Sequence, residues 1–456
     1  MKWLGAFCAI LLLGLRGLDA QAPPAATAPD GEIAAALRNI SAQRIEADIH
    51  KLVGFGTRAS LSAQDPASMA AGRGIGAARE WIKSQFEAYS RECGGCLEIK
   101  TDTFTAATGA RIAKPTEMTN VYAVLKGSDA KSANRIVLVT GHYDSRNSDP
   151  NDAEGPAPGA NDDGSGTVVS LECARVLSKL KFPASVIFLT VAGEEQGLVG
   201  SSHFAQMAKS EGWDIEAVLN DDIVGGDRNP RQNTRVVRVF SEGVPAAAGL
   251  AELRVIFATG GENDSPSREL ARYIAETGRT YDAGLRPMLI FRPDRYLRGG
   301  DHSAFNQQGY AAVRFTEYRE DYNHQHQDVR TANGIEYGDL PKFVDFDYVA
   351  KVARLNAATL ASLAAAPAPP QNVRLHTKQL ENTSTLTWEP SGDGRAAEYE
   401  VLQRDTTSPE WERIAAVEKG TSVTLPESKD NVIFAVCAVD NQGHRSLPVV
   451  PTPERE

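Results

Sequence analysis

The sequence predicts an α/β protein, a mostly parallel mixed sheet flanked by helices, followed by a small all-β sandwich. Three observations carry this reading. Short runs dense in Val, Ile and Leu alternate with segments whose apolar residues recur at helical spacing. The runs 136–140 and 186–192 are nearly continuous in aliphatic residues, as strands buried on both faces are. The composition then changes at the Ala/Pro-rich stretch 365–370, and only short strand-like runs follow it.

The chain opens on Lys2, an apolar run from Gly5 to Leu15, and small residues at Ala20 and Ala22. This reads as a signal peptide over 1–22. The run is too short to span a bilayer, and Arg16 and Asp19 close it. An exported protein, periplasmic or secreted, is expected, with no membrane span. Residues 23–31 read as a disordered leader. From 32 to 52, Ile33, Leu37, Ile40, Ile45, Ile49 and Leu52 keep helical spacing, and 79–90 is a second amphipathic helix. Strands are expected at 121–125, 136–140, 186–192, 217–220, 236–240, 288–292 and 311–316. Helices are expected at 164–180, 267–277 and 348–364. The α/β domain is therefore 32–364, and 365–370 is a linker.

A net charge of −11 argues against nucleic acid or an anionic membrane as partner. Cys8 falls in the signal, which leaves four of the five cysteines. Cys93 and Cys96 in Cys93-Gly94-Gly95-Cys96 read as a local disulfide in an oxidising compartment. Cys173 and Cys437 read as buried thiols.

The chemistry concentrates in segments that follow the expected strands. His142 and Asp144 lie in Gly141-His142-Tyr143-Asp144-Ser145. Asp162 lies in Gly159-Ala160-Asn161-Asp162-Asp163-Gly164-Ser165-Gly166. Glu194-Glu195 and Asp222 follow later strands, and His324 and His326 lie in Asn323-His324-Gln325-His326-Gln327-Asp328. Open α/β sheets bind ligands at the carboxyl ends of their strands. Imidazole and carboxylate together suit a borderline dication such as zinc. Two zinc ions about 3.5 Å apart need a bridging carboxylate and further ligands on each. Asp162 suits the bridge. His142 and Asp222 would complete one site, and Glu195 with a late histidine the other. Glu194 points away from its neighbour and is placed to act as general base. Asp144, two residues from His142, is placed to accept from its imidazole and fix the tautomer. His203 and His302 read as packed or hydrogen-bonded histidines, and His376 and His444 as surface residues.

These segments, with Glu194-Glu195-Gln196-Gly197-Leu198-Val199-Gly200-Ser201, resemble the zinc peptidases of family M28, over roughly 32–363. The resemblance implies the zinc exopeptidase fold for that domain. It implies hydrolysis of peptide bonds, as an aminopeptidase, through a metal-bridging hydroxide with Glu194 as base. It also implies a cis peptide after the bridging residue, here Asp162–Asp163. Asp301-His302 with Phe305 and Gly309 resembles a further signature of the family, in a supporting role. The last ligand departs from the family's His-Thr-x-x-Asp. His324 keeps its four-residue spacing to Asp328, but Gln325 replaces the Thr, and His326 is a second candidate. Spacing favours His324. An aminopeptidase also needs acidic groups for the substrate's α-amine, and Asp144 or Glu194 is available for this.

Residues 371–456 contain strand-like runs at 384–388, 399–404, 422–425 and 432–439. Trp388, Tyr399 and Phe434-Ala435-Val436-Cys437-Ala438-Val439 resemble a fibronectin type III core, without the corner tyrosine at Val432. Its ligand is unknown. All candidate ligands precede the linker, so the sandwich is expected to attach as a separate unit. Two other functions compete for the whole chain: an acyltransferase resembling the glutaminyl cyclases, and a non-catalytic binding protein on the peptidase fold. Peptides are the expected partners under the leading reading.

Overall fold

The computed structural model describes residues 28–454. The signal peptide and most of the leader lie outside the described residues. Among those described, no helix is long and apolar enough to cross a membrane.

Eight strands form the central sheet: β1 (Leu97–Ala106), β2 (Thr116–Leu125), β3 (Arg135–His142), β4 (Ser185–Val191), β5 (Asp214–Asp221), β6 (Val236–Ser241), β7 (Arg286–Ile290) and β8 (Ala312–Glu317). Their order is β1-β2-β4-β3-β5-β8-β6-β7. The centre, β4-β3-β5-β8, is parallel. β1 and β2 are antiparallel to their neighbours, as is β6 to β8. The apolar runs explain the layering. Val137 and Val139 of β3 enter the larger core, while Leu138 between them enters a second core on the opposite face. Side chains alternate along a strand, so a run apolar at every position serves two cores. Helices Gly164–Leu177 and Phe346–Ala365 pack together over the larger core. Val199–Ser210 and His302–Gln307 cover the other face through Phe204 and Phe305.

The helices Val199–Ser210 and His302–Gln307 were not expected, and two other elements differ in an instructive way. The segment 32–52 is two helices, Gly31–Leu37 and Ala42–Val53. Ser41 starts the second by accepting from the Arg44 N–H at 3.3 Å, a side-chain cap that outcompetes continuation. Strand β1 was not expected. Only Leu97, Asp102 and Ala106 are buried in it, and Glu98, Lys100, Thr101, Thr103 and Thr105 are exposed, so its apolar signal is weak.

Beyond the linker, one sheet holds Gln371–His376, Ser384–Glu389, Ser422–Leu425 and Thr452–Glu454. A second holds Glu398–Asp405, Arg413–Glu418 and Val432–Val439. The two share a core of Val373, Leu386, Trp388, Tyr399, Val401, Phe434 and Val436. The sandwich, expected as a separately attached unit, packs against the α/β domain. Arg395 donates to the Ala365 and Ala366 carbonyls at 2.8 Å each. Trp411 Nε1 donates to Glu269 at 2.9 Å, and Arg272 Nε to the Pro409 carbonyl at 2.8 Å. Arg404 pairs with Asp264, Arg445 with Glu276, and Leu447 joins the larger core of the α/β domain. His444 is likewise no surface residue: it sits between Asp440 and Asp30 at 3.0 and 3.3 Å, at this junction. Linker composition reports chain stiffness; it does not report what packs across it. Cys93 and Cys96 form a disulfide, and Cys173 and Cys437 are buried thiols, as expected.

Candidate metal centre

β3 ends on His142, β4 runs into Gly193-Glu194-Glu195, and β5 runs into Asp222. Their parallel pairing brings the three carboxyl ends side by side. The remaining acid comes from the turn before helix Gly164–Leu177. That helix starts in contact with β3: a Cβ on Gly141 would lie 2.5 Å from the Gly166 carbonyl carbon. Only glycine permits this approach. The Asp162–Asp163 peptide is cis, as the resemblance implied. Asp163 caps the helix at Gly166 N, 3.0 Å, and also accepts from the His142 N–H at 3.0 Å and the Ile223 N–H at 3.3 Å. One buried carboxylate thus ties the ends of β3 and β5 to the helix start.

Two trios of donor atoms result. His142, Glu194 and Asp222 form one, and Asp162, Glu195 and His326 the other, with the atoms of each trio within 4.8 Å of one another. Asp162 stands between them. Its Oδ1 lies 3.1 Å from His142 Nε2 and its Oδ2 lies 2.9 Å from His326 Nε2. His326 Nε2 is also 2.9 Å from Glu195 Oε1. His142 Nε2 and Glu195 Oε1 are buried without a hydrogen-bond partner. Burial alone would depress the His142 imidazole, yet Asp163, Asp144, Asp162 and Asp222 raise it well above its usual value. Burial also opposes the charge on His326, and Glu195 and Asp162 outweigh it, to about 10. Burial, then Glu195, Asp222 and Asp301, push the Glu194 carboxyl well up against the opposing pull of His142. Concentrated negative charge around orphaned donors is what a bound dication compensates. Two imidazoles, His142 and His326, with the carboxylates of Asp162, Glu195 and Asp222, form a donor set that fits zinc.

Asp144 occupies the expected place beside His142, with Oδ1 3.3 Å from Nδ1. Its carboxylate also accepts from Ser60 Oγ at 2.9 Å and from the N–H groups of Glu194 and Glu195 at 3.4 and 3.3 Å. Such contacts orient both the imidazole and the Glu194-Glu195 turn. They also leave Asp144 committed, so it is not an open acid for a substrate amine.

The preference for His324 is corrected. Residues 322–326 form a turn, with the N–H groups of His324 and Gln325 both donating to the Asp321 carbonyl. His326 takes a left-handed φ of 54°. On an extended segment the two histidines would face one way; in this turn they diverge. His326 enters the trio, while His324 pairs with Asp227 and stacks on Phe343 at 3.6 Å between ring centroids. Gln325 Nε2 reaches Asp162 Oδ2 at 3.1 Å.

Sequence reasoning missed three supports. Asp339 accepts from the N–H groups of Asn161 and Asp162 at 2.8 and 2.7 Å. Arg58, fully buried, donates to the carbonyls of Tyr143, Pro158 and Gly159. Arg314 holds Asp222 at 2.9 Å. None carries a local motif, because each acts through contacts distant in sequence. Asp301 and His302 are buried at the start of the helix His302–Gln307, and His302 Nε2 lies 2.8 Å from the Pro293 carbonyl. His203 pairs with Asp102 at 2.9 Å.

Comparison with known proteins places this geometry in a family. The profile of peptidase family M28 matches residues 120–345. A probable zinc metalloprotease of Pyrenophora teres f. teres is 45% identical over 430 residues, covering 93% of this chain and 88% of that protein. A probable zinc metalloprotease of Pyricularia oryzae is 44% identical over 434 residues, covering 93% and 85%. Among solved structures, the LapA aminopeptidase of Legionella pneumophila superposes with a TM-score of 0.50 at 22% identity, covering 73% of this chain and 75% of that one.

Proposed function

The chain belongs to peptidase family M28, and from that premise we propose that it is an exported zinc aminopeptidase holding two zinc ions per chain. The observation that carries this is Asp162 between two donor trios, one carboxylate oxygen toward His142 and the other toward His326. Asp162, His142 and Asp222 would hold one ion, and Asp162, Glu195 and His326 the other. Zinc bound there would supply Lewis acidity to the scissile carbonyl and acidify water. Glu194 is the one partly exposed carboxylate of the set. It takes the proton of the attacking water and returns it to the leaving amine. Asp144 keeps the His142 ring and the Glu194 backbone in register while this occurs. The Cys93–Cys96 disulfide supports export to an oxidising compartment. We read the C-terminal sandwich as fibronectin type III-like, on Trp388, Tyr399 and Phe434 in one core.

Zinc-loaded protein offered matched peptides with free and acetylated N-termini tests the proposal. Release of the N-terminal residue from the free peptide alone is expected. Equal cleavage of both would remove the aminopeptidase reading, and cyclisation of N-terminal Gln without hydrolysis would make the chain an acyltransferase.

The late histidines separate in the same assay. His326→Ala is expected to lower turnover roughly 100-fold or more, because it removes a donor facing both Asp162 and Glu195. His324→Ala is expected to stay within about tenfold of the parent, since its contacts are Asp227 and Phe343. The reverse order would return the ligand assignment to His324.

A further inference from the structure

We propose that Asp227, Asp321 and His324, with Glu317, form a further divalent-cation site, adjoining the two trios around Asp162 but built from other donor atoms. Donor atoms of the first three lie within 4.8 Å of one another. They line a small, partly open space of about 10 Å³, room for one water-sized body, which Asp162, Glu320 and Asp339 also border. Glu317 lines the same space. It is fully buried, its Oε2 accepts from the Asp227 N–H at 2.7 Å and from Asn161 Nδ2 at 3.2 Å, and its Oε1 has no partner. Gln325 Oε1, also buried and lining this space, has none either.

A plain Asp227–His324 hydrogen bond accounts for the position of His324. It leaves both orphaned oxygens unexplained, and a buried acceptor without a partner is costly. Arginines do not resolve it. Arg238, Arg295 and Arg298 all converge on Glu320, the neighbouring acid, and are spent there. Three carboxylates and an imidazole around a water-sized space suit zinc or a similar borderline dication. Such an ion would clamp the turn 322–326, which delivers Gln325 and His326 to Asp162. The inference does not rest on the aminopeptidase reading.

Full-length protein loaded with zinc, then freed of excess, is the sample. Elemental analysis gives the stoichiometry, and anomalous scattering at the zinc edge gives the positions. A peak among Asp227, Asp321 and His324 is expected, in addition to those near Asp162. Asp321→Asn and His324→Gln are each expected to bind one ion fewer than the parent, with the peaks near Asp162 kept. Both positions are partly exposed, and two variants guard against one misfolding. Water alone at the cluster, or unchanged stoichiometry in both variants, overturns the proposal. A peak at the cluster without peaks near Asp162 would uphold this site and remove the two-zinc centre.

Discussion

Glu194→Gln is expected to keep its bound metal and lose about 100-fold to 10,000-fold in turnover, the range a positioned general base contributes. The amide preserves the shape and the place of the side chain beside His142 and Asp222. It cannot accept the proton of water at neutral pH, nor return one to a leaving amine. The surroundings raise the carboxyl well above its usual range, chiefly by burial. Asp162→Ala is the contrasting variant. It removes the one carboxylate that faces both histidines, so metal content and activity should fall together. Steady-state kinetics on a free dipeptide, with metal measured on the same samples, separates the two. Near-parental turnover in Glu194→Gln would move the base elsewhere.

What the sequence disclosed and what it withheld follow one physical division. β3 and β4 were readable because strands buried on both faces must be apolar throughout, and their ends then mark where a ligand belongs. His142, Asp162 and Asp222 each sit within two residues of such an end or of a helix start, and Glu194-Glu195 within four of the end of β4, so position and chemistry agreed. His326 was not favoured because the four-residue spacing of His324 to Asp328 says nothing about backbone sense. The turn at Asp321 and the left-handed φ of His326 decide which ring reaches Asp162. Asp339, Arg58 and Arg314 lie in no motif, and they join the centre only when the sheet closes. Two helices were read as one because Ile40 continues the apolar spacing through the break that Ser41 caps. The junction with the sandwich was missed for a related reason. Many of its partners, such as Glu269, Arg272, Arg404 and Arg445, are charged residues, which in a linear reading look like solvated surface.

That junction sets the other large effect. Truncation after Ala365 is expected to strip the α/β domain of much of its stability, and small-peptide turnover should fall with the folded fraction. The opposing case is that interfaces between domains are small and polar and separate without penalty. Burial decides against it. The Glu269 and Arg272 side chains are 2% and 1% exposed. Both lie on the helix Pro266–Thr280, and Trp411 and the Pro409 carbonyl from the sandwich complete their hydrogen bonds. Leu447 sits in the larger core itself. Removing the sandwich opens that core and leaves Tyr273, whose hydroxyl now donates to the Arg445 carbonyl, facing water. Point variants give the magnitude without deleting a domain. Trp411→Ala should cost about 3 to 5 kcal/mol, the range for a buried tryptophan. Arg404→Ala should cost about 3 kcal/mol or more, because it strands Asp264 with its partner gone. Thermal unfolding of the full chain, the two variants and the truncated form measures this. A truncated protein that unfolds cooperatively at the parental temperature and turns over a dipeptide at the parental rate would show the junction to be dispensable.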